Sequence, residues 1–454
     1  MTTSIPALVA AFAERYPKNP TPLICRAPGR TNIIGEHVDY CGLPVLPMAV
    51  DRDIVLAMTP RHDSVVHLED LDPAFAPVEF ENGHDIPASP AGSWENYTKA
   101  AVQGLNKHFG IETHPGMDML VASDIPVAAG LSSSSALVVA SALAYLPAIE
   151  KQLDEDLSRL ELATLMAESE HYVGTKGGGM DQAIILLGQA GAACKIDFNP
   201  LHVEPVPLLD SHTFVVCNSL VKAEKTGDML HRYNEGPVSC RLLRALVEKQ
   251  AQRAFDDELT LGSLGELWFG LLCLTNVEVA ELMAGALPTE HTTLAEAAVT
   301  LGTDVKTIRE RWIGDLPEPT EGFPLQARAR HLLSEYSRVE AARDALLAND
   351  PAALGILMND SHASCAGDYL VSCPELDALV SVARDGGALG ARLTGAGFGG
   401  CTVNLVLADA VNAFREHVHN HYYETYLGLT TEAIPEDAVI DVRPTAGAGY
   451  CPTA

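Results

Sequence analysis

The spacing of apolar and polar positions divides the chain into a mixed series of helices and strands. After Ser4, residues Ile5, Leu8, Val9, Phe12 and Tyr16 recur at helical spacing and Pro17 follows, which predicts an amphipathic first helix. A β-branched segment at 31–34 and an apolar run at 43–50 predict two strands holding a short polar loop. Residues 54–58 and 64–68 also read as strands, and the Pro-, Asp- and Gly-rich stretch 70–92 as a connection. Trp94, Tyr97, Ala101 and Leu105 share one face of a helix that ends near Phe109, and 117–122 is a strand. A helix runs from Ser132 towards Pro147, and another from about 157 to 173 ends at Gly174, a left-handed cap.

A proline-bearing link at 200–207 then precedes a strand at 213–217 and marks a domain boundary. Residues 242–349 are mostly helical with a proline-rich break at 317–324, and 325–348 has the arginine-rich exterior of a solvated helix. The last hundred residues return to mixed structure, with a helix at 374–383, a glycine run at 395–400 and a strand at 402–407. A helix near 408–422 and a strand at 439–442 complete the pattern.

Composition narrows the class. A chain of 454 residues is long for one core and implies at least two domains. Apolar content of 47% with 20% charged residues excludes wholesale disorder. The formal net charge of −30 argues against nucleic-acid and anionic-membrane partners, because phosphate would be repelled at long range. The ten cysteines include no CxxC pair, so buried reduced thiols in the cytoplasm are expected. No apolar run reaches the ~18 residues of a spanning helix, and the first helix lacks the basic region and cleavage site of an export signal. The expectation is a soluble, intracellular protein.

Four stretches carry chemistry. The first loop presents Glu36, His37, Asp39 and Tyr40, with Arg30 shortly upstream. It reads either as a polar hairpin tip or as a cup for a polyhydroxylated ligand. In the second, 126–146, small residues and the serines Ser132 to Ser135 precede a strongly helical run. One serine suffices for an ordinary cap; four exceed it, and favour an anion held by helix N–H groups. A Walker lysine is absent throughout. The third, LTGAGFGGCTV, holds G-x-G-x-x-G at Gly395, Gly397 and Gly400, but a strand follows rather than a helix, which rejects a dinucleotide fingerprint. A tight hairpin, or a loop pressing its backbone on phosphates, remains. The fourth, GGGMDQ at 177–182, delivers Asp181 before an apolar segment. Upstream, Glu170 shares the apolar face of its helix, whereas Glu161 and Glu168 look solvated. A buried carboxylate needs a partner or a metal, so Glu170 is either half of a buried ion pair or an Mg²⁺ ligand.

Together these stretches resemble the galactokinase branch of the GHMP small-molecule kinases. PGRTNIIGEHVDY is similar to the galactokinase signature, GLSSSSAL to the family's phosphate loop and LTGAGFGGCTV to its third motif. GTKGGGMDQ, LMNDSH, SCPELD and PTAGAGY add to the likeness, which spans nearly the whole chain. The resemblance implies a two-domain GHMP-kinase fold of the α+β class, divided at about 205/206, with a helical insertion near 242–349. It implies transfer of a phosphoryl group from ATP to the anomeric hydroxyl of galactose. Glu36, His37, Asp39, Gly179 and Tyr233 would then bind the sugar, and Asp181 would take the proton from the anomeric hydroxyl. Arg30 would lie across the reacting centre. Ala128, Ala129, Gly130, Leu131, Ser132, Ser133 and Ser134 would wrap the nucleotide phosphates, and Trp94 and Tyr97 would lie near the adenine. Ser134 and Glu170 would hold Mg²⁺. Sugar and ATP are the expected partners, with no nucleic acid or membrane, and a monomer is expected.

Two departures stand out. Ala128 occupies a position where many members carry glycine, and residues 234–237, Asn-Glu-Gly-Pro, replace a segment that usually contains an arginine. The same motifs also resemble N-acetylgalactosamine kinases. Tyr233 favours galactose, because the acetamido-sugar enzymes carry phenylalanine there. A non-catalytic galactose sensor is the third alternative; its kind shows damage in the serine loop, which is intact here.

Overall fold

The computed structural model describes residues 4–19, 21–126, 130–174, 177–221, 228–270 and 272–452, without the side chains of 228–231 and 233. Its twelve strands are β1 (Leu23–Ile34), β2 (Leu46–Pro60), β3 (Val65–Asp70), β4 (Val78–Glu81), β5 (Met117–Ser123) and β6 (Ala192–Phe198). They continue with β7 (Leu201–Pro207), β8 (His212–Asn218), β9 (Gly390–Thr394), β10 (Cys401–Leu407), β11 (Val439–Val442) and β12 (Gly449–Cys451).

The long antiparallel pair β1–β2 is the spine of a six-stranded sheet ordered β12-β1-β2-β5-β3-β4. Only β3 and β5 run parallel among its neighbours. Helix Ser133–Ala148 packs on this sheet, and it is apolar on every side. Such a helix must be covered all round, and its residues from Ser135 to Leu146 are buried. Tyr145 would bury its hydroxyl at a cost. Instead the hydroxyl donates to Asn106 Oδ1 at 2.6 Å and accepts from Asn82 Nδ2 at 2.9 Å, closing a polar ring inside the core.

The chain passes to a second sheet, ordered β11-β8-β10-β9, between β7 and β8. Leu379, Phe414, Tyr422 and Tyr423 fill its core against Val215, Val406 and Val439. A helical group, including Asp228–Ala254, Asn276–Ala286, Leu294–Leu301 and Leu325–Leu347, lies between β8 and β9 in sequence. Helix Pro351–Gly367 then packs on both Leu325–Leu347 and β9. The chain closes by returning β12 to pair with β1, Ile24 opposite Cys451.

Most expected elements are present, with three corrections. The connection 70–92 contains strand β4, which pairs with β3. The proline-bearing link 200–207 is strand β7, paired with β6 along its length; the sheet is only two-stranded, so Pro205 and Pro207 cost little ladder. Helix Leu325–Leu347 is not simply solvated: Arg328, His331 and Glu335 are buried, the last two completely. Among the described residues, no helix is long and apolar enough to cross a membrane.

Candidate active site

Four backbone segments converge on one cleft: the end of β1 with its loop, the phosphate-loop serines, the start of helix Met180–Leu187 and the β9–β10 turn. Arg30, Glu36, His37, Asp39, Glu170, Gly179 and Asp181 all line it.

Arg30 ties two of these segments together. Its Nε and Nη2 donate to Asp181 Oδ1 and Oδ2 at 2.6 and 3.0 Å, and its Nη1 donates to the Gly130 carbonyl at 2.5 Å. The backbone N–H of Arg30 also donates to the Leu131 carbonyl at 3.0 Å. Burial opposes the guanidinium's charge, but Asp181, Glu36 and Asp39 outweigh it, so Arg30 is held even more firmly protonated. Ser132 Oγ donates a short hydrogen bond to Asp181 Oδ2. Asp181 therefore joins the serine loop and the sugar-signature strand, about 50 and 150 residues away in sequence.

The sugar-signature loop is buried and polar. Glu36 Oε2 pairs with Arg392 Nη2 at 3.1 Å, both side chains almost wholly enclosed. Burial pushes Glu36 upward while Arg392 and Arg30 pull it back. His37 Nε2 faces the Ala396 carbonyl at 3.2 Å and so donates to it; Nδ1 then accepts from the Tyr40 hydroxyl at 3.2 Å. Burial, with His331 and Arg328 nearby, lowers His37 to about 3, so the ring is neutral at pH 7. Burial and the Asp181 charge raise Asp39 to about 6, against the Met180 N–H that donates to it at 3.3 Å.

The β9–β10 turn presses its backbone on the phosphate loop. A Cβ at Gly395 would lie 3.0 Å from the Gly130 carbonyl oxygen, and one at Gly130 would lie 2.8 Å from the Thr394 oxygen. The G-x-G-x-x-G run is thus a hairpin turn, the first of the two readings left open by sequence, and it is appressed to the serine loop.

Glu170 is buried on its helix's apolar face, as its position in the stripe suggests. Its Oε2 accepts from Ser135 Oγ at 2.8 Å and from Gln182 Nε2. Ser134 lies by the Tyr97 hydroxyl, which burial and the Glu170 charge raise to about 12. Trp94 donates Nε1–H to the Ala76 carbonyl at 3.3 Å and lies tilted beside Phe75. Ser133 opens the helix Ser133–Ala148. Ala128, Ala129 and the side chain of Tyr233 lie outside the described residues.

Sequence reasoning missed the residues behind the loop. Tyr369 stacks on His37 with ring centroids 5.1 Å apart and hydrogen-bonds the Tyr40 hydroxyl. Beside the unusual segment 234–237, Arg328 pairs with Glu235 at 3.5 Å and lies over the Tyr369 ring at 4.3 Å. A guanidinium is therefore supplied there from a different helix. The signal was present: Arg328, His331 and Glu335 fall at i, i+3 and i+7, on the stripe of Leu332 and Val339.

Comparison with known proteins agrees with this geometry. Models of the GHMP kinase N-terminal and C-terminal domains match residues 96–189 and 342–424, and mevalonate kinase shares the fold at TM-score 0.55 and 17% identity over 93% of this chain and 99% of that one. The molecule is thus built as a GHMP small-molecule kinase. The galactokinase galactose-binding signature matches residues 10–60. Galactokinase of Dictyostelium discoideum is 33% identical over 92% of this chain and 87% of its own. That of Bos taurus is 35% identical over 91% of each. Lactococcus lactis galactokinase, solved with galactose, superposes at TM-score 0.77 with 29% identity, covering 98% of this chain and all of that one. The chain belongs to the galactokinase family.

Proposed function

We propose that the protein transfers the γ-phosphoryl group of ATP to the anomeric hydroxyl of galactose, giving α-D-galactose 1-phosphate. The carrying observation is the bidentate Arg30–Asp181 pair set where the sugar-signature loop meets the serine loop. Phosphoryl transfer asks mainly for alignment and charge neutralisation. Asp181 takes the proton as the hydroxyl oxygen bonds to the γ-phosphorus and the bond to the β-bridging oxygen breaks, releasing ADP. Arg30 keeps Asp181 ionised and offers its positive charge to the transferring group. Glu36, His37 and Asp39 hold sugar hydroxyls, and Gly179 and Tyr233 complete the proposed set of sugar-binding residues. Residues from Ala128 to Ser134 would wrap the nucleotide phosphates, with Trp94 and Tyr97 near the adenine.

Mg²⁺ fits the donor set. Mg²⁺ is usually held by one or two carboxylates with substrate phosphates, not by an all-protein cage. Glu170, with Ser134 or Ser135 of the same helix turn, supplies such a partial site; among the described residues no cluster of three His, Cys, Asp or Glu forms a full one. When bound, the ion would neutralise phosphate charge.

We place the division between domains at about 205/206, near the end of β7 and ahead of β8, which enters the second sheet. We keep a monomer as the proposed state, and ten free thiols fit the reducing cytoplasm. The test is an ADP-release assay with ATP, Mg²⁺ and a sugar panel, the product position assigned by phosphorus NMR. A specificity constant favouring N-acetylgalactosamine, or no turnover with any sugar, would overturn the reading.

A further inference from the structure

Behind the sugar-signature loop, helix Leu325–Leu347 grips the backbone on both sides of Glu36. Glu335 Oε1 accepts from the Gly35 N–H at 2.8 Å and from the Glu36 N–H at 3.2 Å. One turn earlier on the same helix, His331 Nε2–H donates to the Glu36 carbonyl at 2.9 Å, while its Nδ1 accepts from Ser364 Oγ at 2.9 Å. The peptide units flanking Glu36 are thus fixed by a side-chain acceptor and a side-chain donor some 300 residues away in sequence. Arg392 fixes the third element, the Glu36 carboxylate, and donates from Nη1 to the Asn32 carbonyl at 3.0 Å.

Two consecutive amide N–H groups aimed at one oxygen form a small anion-binding concavity. Here the anion is internal. Gly35 reaches the required backbone with φ +97°, and a Cβ there would sit 2.9 Å from Val339 Cγ2, one turn beyond Glu335 on the same helix. The loop therefore lies flat on the helix with no space for a side chain between them.

The chemistry at Glu335 calls for an acceptor on both oxygens. Oε1 also accepts from Ser361 Oγ at 2.6 Å, and Oε2 accepts from Arg338 Nε at 2.7 Å. Burial raises the carboxyl, but Arg338, His331 and Arg392 outweigh it and bring it down to about 2. An ordinary buried ion pair would satisfy Arg338 and stop there. This carboxylate instead spends one whole oxygen on the backbone of the loop and on Ser361, which in turn accepts from Arg392 Nε at 3.1 Å.

We propose that Glu335 is a positioning residue for sugar binding: it acts as a fixed internal anion that holds the Gly35–Glu36 backbone so that the loop's side chains meet galactose in one arrangement. The idea rests on the reading of this loop as the sugar wall. It requires ionised glutamate. In Glu335→Gln the amide NH₂ must face either the Arg338 donor or the two loop N–H groups, a buried donor–donor conflict in both cases.

The test uses the purified full-length chain with steady-state kinetics in both substrates. Glu335→Gln should raise the galactose KM by about tenfold or more, the effect of one misplaced charged hydrogen bond. The ATP KM should stay within about twofold, and kcat should fall less than the galactose KM rises. The double variant Glu335→Gln with Arg338→Met should regain part of the galactose KM, because the amide can then face a neutral side chain. A galactose KM unchanged in a folded Glu335→Gln protein overturns the proposal. So does a parallel rise of both Michaelis constants, which general damage would produce. If Glu335→Gln does not fold, Ser361→Ala decides: a selective rise in the galactose KM supports the clamp and no change overturns it. Glu36→Gln separates the two layers. If it leaves galactose binding intact, the sugar-wall reading and the clamp both fall; if it weakens binding while Glu335→Gln does not, only the clamp falls.

Discussion

Arg30 and Asp181 meet through two parallel hydrogen bonds, Nε to Oδ1 at 2.6 Å and Nη2 to Oδ2 at 3.0 Å, in a site where the arginine is 6% and the aspartate 23% exposed. This fork–fork geometry fixes the plane of the carboxylate as well as its charge. A proton acceptor aligned in advance needs no reorganisation when the hydroxyl arrives.

Asp181→Asn should therefore remove most turnover and little binding. A general base contributes ~10²–10⁴-fold, and the amide keeps the shape of the carboxylate while losing its affinity for a proton. The expected outcome is a fall in kcat within that range, with galactose affinity by calorimetry unchanged within a few-fold. Near-normal turnover would remove Asp181 from the base role.

Arg30→Lys tests the partner. A lysine keeps one positive charge but loses the planar fork, so it cannot hold both Asp181 oxygens and the Gly130 carbonyl at once. The rate should fall by more than either Michaelis constant rises. A variant that changed only KM would show that Arg30 binds the ground state and no more.

The loops that make this site were readable because their chemistry is local. Consecutive serines before a helix, a glycine run before Asp181 and clustered polar residues between two strands each declare themselves within a dozen positions. Their convergence, and what stands behind them, is not local. Arg392 reaches Glu36 across 356 positions, and β12 joins β1 across more than 400. No short window contains either pairing. Helix Leu325–Leu347 misled for a different reason: Arg330 and Arg343 do face solvent, and their presence disguised the buried face carrying Arg328, His331 and Glu335. Counting those charges by helical face, instead of by segment, would have exposed the conflict with Leu332 and Val339.

Stability should carry the mark of buried neutral histidine. Burial lowers His331 to about 4, while an unfolded histidine titrates near ~6.5. Between these values the unfolded chain binds the extra proton, so this contribution is full above about pH 6.5 and is lost as pH falls towards 4. The loss is about 1.4 kcal/mol per pH unit. Comparing urea unfolding of the parent and His331→Gln between pH 6.5 and 4 isolates it. The parent should lose stability on acidification more steeply than the variant, by roughly that slope. Equal slopes would mean that His331 is charged in the folded protein.

Glu170 offers the most direct test of the cation site, because the competing explanations separate by which constant moves. As a metal-holding carboxylate, Glu170→Gln should shift the Mg²⁺ activation curve to higher concentration by at least about tenfold, the order seen when supporting groups of metal sites are removed. The galactose KM should stay in place, since the sugar loop is held from the opposite side by Arg392 and helix Leu325–Leu347. A purely structural carboxylate predicts something else: lower thermal stability from the lost Ser135 and Gln182 partners, with Mg²⁺ dependence unchanged. Ser134→Ala and Ser135→Ala divide the remaining possibility. Helix Ser133–Ala148 turns Ser135 towards Glu170 and Ser134 towards Tyr97, so if this arrangement persists with ATP bound, Ser135→Ala alone shifts the Mg²⁺ curve. If Ser134→Ala shifts it instead, the first turn of that helix must rotate its hydroxyls when the nucleotide arrives. An Mg²⁺ curve that neither serine nor Glu170 moves would take all three out of the cation site.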